Sequence, residues 1–300
     1  METLEKLNRR RESTRDLQSV VKTMKALAAV RIRQYERAVE SLGDYTETVE
    51  KGLRAVLLNR PGLMVTARPG QRDTIGAVVF GSDQGMCGQL NDQVASHALA
   101  EMNRFNRGNS ENRVILAVGD RLRGRLEDGG QAVDEGFSVP GSVTGITPLV
   151  QDVLSRIEGW HEKKGLEQVF LYYSEHLSGA SYRPRTVHLL PIDRLWLARI
   201  REKGWAGRSL PLFTMDWDSL FSALIREYLF GSLFRAFAES LASENASRLA
   251  SMEGAERNIR EQLKGLDVQY HQQRQMSITE ELLDIVSGFE ALEAGDGKNE

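Results

Sequence analysis

The sequence contains a single cysteine, Cys87, among its 300 residues. One cysteine excludes an internal disulfide and any zinc site built from several cysteines. The five histidines are scattered without the short spacing of a metal-ligating pair such as HExxH, so we expect no metal site. These histidines are His97, His161, His176, His188 and His271.

Long apolar runs are also missing. No stretch approaches the roughly 20 uncharged apolar residues of a membrane helix, so we expect no direct membrane insertion. The first residues, METLEKLNRRRESTR, carry charges where a signal peptide needs an apolar core. They predict a cytoplasmic location unless a partner docks the chain elsewhere. The net charge of −3 argues against nucleic acid as a partner, because phosphate binding needs a strongly basic face.

Proline is confined to the middle of the chain. All seven prolines lie between Pro61 and Pro211, which leaves residues 1–60 and 212–300 without the strongest helix breaker. Apolar residues in both segments alternate three and four apart, a spacing typical of helices that pair as a coiled coil. The first seam is Leu7, Thr14, Leu17, Val21, Met24, Ala28, Tyr35, Ala38, Leu42, Tyr45, Val49 and Val56. The second is Leu249, Met252, Ile259, Leu263, Leu266 and Tyr270, then, after a break in phase at 272–279, Leu282, Ile285, Phe289 and Leu292.

Charge favours pairing of these two segments with each other. Residues 1–40 carry ten Lys and Arg against six Asp and Glu, whereas residues 239–300 carry six against thirteen. The resulting net charges of +4 and −7 attract. Exposed ion pairs are each worth under about 1 kcal/mol, so the seams matter more than the charges.

The middle of the chain has the pattern of a small α/β sheet. Short β-branched or aromatic runs predict strands, and helical patterns lie between them. The strands are expected at 75–80, 114–118, 169–174 and 186–192, and the helices at 88–105, 120–127 and 147–161. We therefore expect a coiled-coil helix at 1–60, an α/β domain at 70–210, a second coiled-coil helix at 212–293 and a tail at 294–300.

A glycine-rich loop, GSDQGMCGQLN at 81–91, follows the first predicted strand. Such a loop can hold phosphate on free backbone N–H groups, but this one lacks the GK[ST] ending of a P-loop and does not fit GxGxxG. A tight strand-to-helix turn is the simpler interpretation. Cys87, near the predicted helix start, could act as a nucleophile or be a buried packing residue, and no patterned histidine is present to serve as its base.

Two polar features stand out on the predicted helices. Lys22, Lys25, Arg31, Arg33 and Arg37 form a basic run that either meets acidic partner loops or is a solvated face. The break at 272–279 places Arg274, Gln275 and Thr279 where a seam would be apolar. Water or a surrounding protein must satisfy these groups.

Four segments together resemble the γ subunit, or central stalk, of the rotary F-type ATP synthases. KTMKALAAVRIR at 22–33 resembles the family's KAMKMVAASKLR, and SDQGMCGQLN at 82–91 is similar to SDRGLCGGLN. ESLASENASRLASM at 239–252 resembles ESxASEHAARMxAM, and RQMSITEELLDIVSG at 274–288 is similar to RQAxITxELxEIVxG. The chain departs from the family's SVxNTxKIT at 13–21, STRDLQSVV, which is compatible with the alternative F-type ATPases of some bacteria and archaea that pump Na⁺ or H⁺ outward.

The resemblance implies an antiparallel coiled coil of both termini beside a small Rossmann-like α/β domain. It implies a rotor without catalytic residues or cofactors, inserted into a ring of α and β nucleotide-binding subunits on the cytoplasmic face of a prokaryotic membrane. The α/β domain would contact an ε-type subunit and the membrane c-ring. The implied partner contacts are Lys22, Met24, Arg274, Gln275 and Thr279. A coiled-coil adaptor and a small enzyme that uses Cys87 are the alternatives.

Overall fold

The computed structural model describes residues 3–59, 74–105, 112–205, 207–209 and 211–296, with the side chains of 162–164 and 289–296 left out. The chain divides into two units. One comprises Met1–Ala26 with Met252–Glu300, and the other is Leu27–Ser251. Two expected seam positions, Phe289 and Leu292, lie among the residues whose side chains are not described. The expected domain boundaries at 60 and 70 lie outside the described ranges, and so do the last four residues of the expected tail.

Helix and strand alternate in the order that the sequence indicates. The helices are α1 (Leu4–Asn59), α2 (Leu90–Phe105), α3 (Asp120–Asp128), α4 (Ile146–Lys164), α5 (Arg194–Glu202) and α6 (Trp217–Asp296). The strands are β1 (Ile75–Phe80), β2 (Arg113–Val118), β3 (Glu135–Phe137), β4 (Gln168–Ser178) and β5 (Ser181–Leu190). The sequence pattern did not predict β3, α5 or a short 3-10 helix at Val143–Gly145.

The five strands form one sheet in the order β3-β2-β1-β4-β5. All neighbours pair in parallel except β4 and β5, which form an antiparallel hairpin. The hairpin explains why β5 begins at Ser181, earlier than the expected residue 186: the chain turns back immediately after β4. The predicted mixed α/β, Rossmann-like class is confirmed.

Alternation along the strands divides the core of the Leu27–Ser251 unit between the two faces of the sheet. Ala77 and Val79 of β1 face one cluster, which α2 and α3 complete. Val78 and Phe80 face the other, which includes α4, Tyr35 of α1 and a stretch of α6 around Phe237. A third cluster packs α1 against α5.

Helices α1 and α6 run antiparallel in the unit made of the two chain ends. Arg11 lies 3.5 Å from Asp267 and its guanidinium stacks on the Tyr270 ring at 4.4 Å. Further along α1, Lys25 lies 3.2 Å from Glu256 and 3.7 Å from Glu253. Partner numbers fall along α6 as they rise along α1, which fixes the direction. The predicted attraction between a basic and an acidic segment is present in these pairs.

Most predicted seam positions on α1 are buried or half-buried, including Leu7, Ala28, Tyr35 and Leu42. Leu17 is an exception and the prediction there is wrong, because its side chain is 55% exposed. A straight helix drifts about 20° per heptad against a strict seven-residue repeat, so a seam drawn over roughly fourteen turns leaves the interface at some positions. On α6 the helix continues without interruption through 272–279, although the apolar phase is lost there.

Candidate functional site

The glycine-rich loop is closed by its own side chains. Ser82 donates its backbone N–H to the Asn91 side-chain oxygen at 3.0 Å, and Asn91 donates back to the Ser82 hydroxyl at 2.8 Å. The Cys87 sulfur, on a residue only 2% exposed, lies 3.4 Å from that hydroxyl. The thiol therefore packs inside a turn between Ser82 and Asn91.

Asp83 ties this loop to the ends of two other strands. Its carboxylate accepts the backbone N–H of Asp120 at 3.0 Å and that of Val139 at 2.8 Å. Asp120 begins α3, directly after β2, and Val139 follows β3. Helix α3 has no capping bond from its own N-cap residue, Gly119, so Asp83 supplies this helix start with an acceptor from a distant loop.

The middle of α6 covers the same edge of the sheet with small polar residues. Ser243 donates to the backbone oxygen of Ser174 at 2.8 Å, at the point where β4 passes α6. Ser247 lies beside Gly88, whose φ of +57° is a left-handed conformation; a Cβ added there would be 3.1 Å from the Ser247 hydroxyl. These contacts give the motif at 239–252 a structural role in docking α6 onto the sheet.

This docked stretch also buries two carboxyl groups. Burial raises the pKa of Glu239, an effect partly offset by the nearby guanidinium groups of Arg185 and Arg235. Burial likewise raises the pKa of Glu244, offset by Arg248, whose guanidinium nitrogen lies 2.6 Å from the Glu244 carboxylate. One oxygen of each carboxyl has no hydrogen-bond partner among the described residues. The segment is therefore held in place at an electrostatic cost.

The five residues implied as partner contacts all belong to the unit formed by the chain ends. Lys22 is exposed and Met24 half-buried on α1, and Arg274, Gln275 and Thr279 are exposed on α6. Because Lys25 pairs with Glu256, Met24 is level with a point on α6 about 18 residues before Arg274, roughly 25 Å along the helix axis. The structure brings the three α6 residues together but separates them from Lys22 and Met24.

The α6 residues form a shallow depression on one helix face. Thr279 donates its hydroxyl to the Gln275 backbone oxygen at 2.9 Å, while the Gln275 and Thr279 side chains line the depression together with Gln272, Met276 and Glu280. Arg274 is exposed, so it remains accessible to hydrogen-bond acceptors outside the chain.

An apolar surface follows directly after this polar group. Its members are Ile278, Leu282, Leu283, Ile285 and Val286, and the most exposed, Ile285, is 67% exposed. These positions cover about half of the helix circumference at 100° per residue. Such a concentration of exposed large apolar side chains indicates a surface that a partner covers.

The basic run on α1 is only partly solvated. Lys25 pairs with Glu253 and Glu256, and its hydrogen bond to Glu256 lowers the pKa of that carboxyl. The other four basic residues of the run are exposed, namely Lys22, Arg31, Arg33 and Arg37. Within the ranges that the structure describes, no three His, Cys, Asp or Glu side chains converge as a metal site would require. No helix in those ranges is both long and apolar enough to span a membrane.

Comparisons with known proteins agree with this architecture. A family model described as ATP synthase matches residues 3–292. A solved structure titled as the central stalk and c-ring of the Tetrahymena thermophila mitochondrial ATP synthase is 22% identical, covers 79% of this chain and 99% of that chain, and has a TM-score of 0.57.

Two structures from the Euglena gracilis mitochondrial ATP synthase are also similar. One, titled as the rotor in rotational state 1, is 15% identical over 92% of this chain and 98% of that chain, with a TM-score of 0.57. The other, titled as the OSCP/F1/c-ring part in rotational state 3, is 18% identical over 98% of this chain and 95% of that chain, with a TM-score of 0.59. At these identities the structures establish the fold, whereas the family model spans nearly the whole sequence. The chain belongs to the gamma subunit family of the F-type ATP synthases, the family of the central stalk.

Proposed function

We propose that this chain is the non-catalytic rotor that couples ATP synthesis or hydrolysis in a ring of α and β subunits to H⁺ or Na⁺ translocation through a membrane c-ring. An asymmetric shaft presents a different face to each catalytic interface. Rotation then biases which interface is open or closed, a coupling carried by rigid elements. Catalysis belongs to the ring subunits.

The observation that carries this proposal is the exposed surface that α6 presents within residues 274–286. Arg274, Gln275 and Thr279 are exposed there and are followed at once by the apolar surface at 278–286. A spacer between two domains has no need of large exposed apolar groups, whereas a helix end seated in a sleeve does. Polar groups ahead of the apolar end can hydrogen-bond ring loops that approach them during rotation.

The α/β domain is the part that we assign to the ε-type subunit and the c-ring. Its unit exposes a second set of large apolar side chains on and after α5, among them Leu195, Leu212 and Met215. Leu212 is 95% exposed, which favours a covered position in the assembly. Attachment to a c-ring would hold the chain at the cytoplasmic face of a prokaryotic membrane without insertion.

The test is a comparison of ATP hydrolysis with ion pumping in reconstituted vesicles. Arg274→Leu, Gln275→Leu and Thr279→Val each remove a polar group from the proposed contact. We expect less ion gradient per ATP hydrolysed, because a net hydrogen bond of about 1 kcal/mol, and more for the arginine, is lost at each site. Arg257→Leu, an exposed arginine on the same helix outside the proposed set, is the matched control.

Two results would contradict the proposal at different levels. Unchanged hydrolysis and pumping in all three variants would reject the assignment of these residues. Isolation of the chain as a self-contained oligomer that never copurifies with nucleotide-binding subunits would instead favour the adaptor alternative and reject the rotor role.

A further inference from the structure

A cavity of about 240 Å³ lies inside the Leu27–Ser251 unit, between α1, α5, α6 and the hairpin of β4 and β5. Its volume equals that of about eight water molecules in the liquid, at about 30 Å³ each. This is close to the lower limit of ordinary ligand pockets, roughly 300 Å³, so only a small molecule fits.

A glycine in the middle of a helix opens this cavity. Glu227, Gly231 and Arg235 follow each other at i, i+4 and i+8, so they lie on one face of α6 over about 12 Å. A Cβ added at Gly231 would still be 3.7 Å from the Tyr45 ring. An interior glycine costs the helix about 1 kcal/mol against alanine, which has room here. A longer side chain would fill the cavity.

The two ends of the cavity carry opposite charge. At one end lie the carboxylates of Glu227, which accepts a hydrogen bond from the Tyr45 hydroxyl, and of Glu50. At the other end lie the guanidinium groups of Arg185 and Arg235.

The positive end is only partly neutralised. Glu175 pairs with Arg185, but it also binds Arg183 at 2.7 Å. Arg235 lies 3.9 Å from Glu239, a long contact to a carboxyl whose pKa burial raises. Both arginine side chains keep about two-fifths of their surface exposed. The guanidinium groups of Arg185 and Arg235 can therefore still bind an anionic group.

The remaining walls are aromatic, aliphatic or already hydrogen-bonded. Trp196 of α5 packs on Tyr228 of α6, with ring centroids 4.2 Å apart and planes 34° apart. The hydroxyls of Thr46 and Ser232 bond backbone oxygens of their own helices at 2.9 Å and 3.0 Å. The charged ends and the aromatic wall are thus the groups left to recognise a ligand.

We propose that this cavity binds a small zwitterion with its charges at opposite ends of a flat apolar body. The ammonium group lies at Glu227 and Glu50, the carboxylate at Arg185 and Arg235, and the apolar body against Trp196 and Tyr228. The site goes beyond the rotor role, since none of its residues belongs to the proposed contacts with the ring.

The test is saturation-transfer NMR on the full chain carrying Leu282→Ser and Ile285→Ser, two changes outside the cavity that should limit aggregation, with 4-(aminomethyl)benzoate as the probe. Two molecules of the same shape with one charge each, 4-methylbenzoate and benzylamine, separate the contributions of the two ends. We expect the zwitterion to bind at least about tenfold more tightly than either. Gly231→Leu, Arg235→Gln and Glu227→Gln should each weaken it by a similar factor, whereas Arg226→Gln, which changes an exposed arginine on the adjoining position, should not.

Circular dichroism checks that each variant is folded, and the two charge variants decide the outcome if Gly231→Leu is not. The proposal is overturned if the chain with an unaltered cavity shows no saturation transfer at millimolar zwitterion. It is also overturned if the three probes bind equally, or if Arg226→Gln lowers binding as much as Arg235→Gln.

Discussion

The hydroxyl of Ser247, in the middle of α6, donates a hydrogen bond to the backbone oxygen of Cys87 at 2.5 Å. These residues are 160 positions apart, and each belongs to one of the four segments that resemble the stalk family. The contact shows that the two motifs are halves of one packing interface. The glycine-rich loop at 81–91 resembles a phosphate-binding loop, but in this structure it packs against helix α6.

Replacing Gly88 by alanine should lower the free energy of unfolding by about 1–2 kcal/mol, the cost of a left-handed conformation for a residue with a Cβ. The new methyl group would also press on the Ser247 hydroxyl. Urea unfolding followed by circular dichroism measures the change. Gly85→Ala is the control, because an added Cβ there meets nothing within 4 Å; equal effects at both glycines would contradict this reading.

Cys87→Ser and Cys87→Ala should leave ATP hydrolysis by the assembled complex largely intact. The thiol is buried against Ser82 and Asn91, so its removal alters packing rather than chemistry. Hydrolysis rates of the purified complexes measure the effect. A complex that assembles normally yet loses hydrolysis would revive the enzyme alternative.

Glu239→Gln should stabilise the chain near pH 8 and have little effect near pH 4. A raised pKa means that the folded state holds the proton more tightly than the unfolded chain does. The contribution of this carboxyl to stability is therefore greatest below its unfolded pKa of about 4.3 and is lost as the pH rises towards the folded value. Glutamine keeps an oxygen near Tyr173 without the buried charge.

Thermal unfolding at both pH values tests the Glu239 prediction. Glu281→Gln, at an exposed position on the same helix, serves as the control for a simple change in net charge. A Glu239→Gln variant that is less stable near pH 8 than the wild type would show that the carboxylate is needed in its charged form.

The isolated chain should aggregate, and serine at Leu282 and Ile285 should reduce this without changing the melting temperature. These side chains are 58% and 67% exposed, so they contribute to self-association rather than to the folded core. Light scattering and thermal melts provide the measurements. Leu266→Ser, at a buried seam position, should instead lower the melting temperature. Monodisperse behaviour of the unmodified chain would count against a sleeve around this end.

The local sequence pattern was sufficient to predict the bounds of elements that are long or fully buried. The strands β1 and β2 and the three helices α2, α3 and α4 lie within three residues of their expected bounds. The short strand β3 was missed because three residues are too few to show a periodicity, and α5 because a helix of nine residues gives too few turns for a clear apolar period.

The candidate site was less accessible from the sequence. Exposure of Arg274 and Gln275 depends on which face of α6 packs against α1, and heptads alone do not fix that face where the apolar phase is lost. The cavity beside Gly231 forms because α5 lies next to α1 and α6. No local sequence pattern predicts such a long-range contact. The capping of α3 by Asp83 similarly joins positions 37 residues apart.

The two hydrogen bonds that the Asp83 carboxylate accepts affect whether the α/β domain can bind nucleotide phosphates. In related sheet folds the free N–H groups at the carboxyl edge of the strands bind phosphate oxygens that arrive by diffusion. Here a carboxylate fixed to the same chain already occupies the N–H groups of Asp120 and Val139. Because this anion is covalently tethered, a passing triphosphate would have to compete with an acceptor that never leaves. In the rotor that we propose, the α/β domain would therefore stay near ATP-binding subunits without itself responding to the nucleotide concentration.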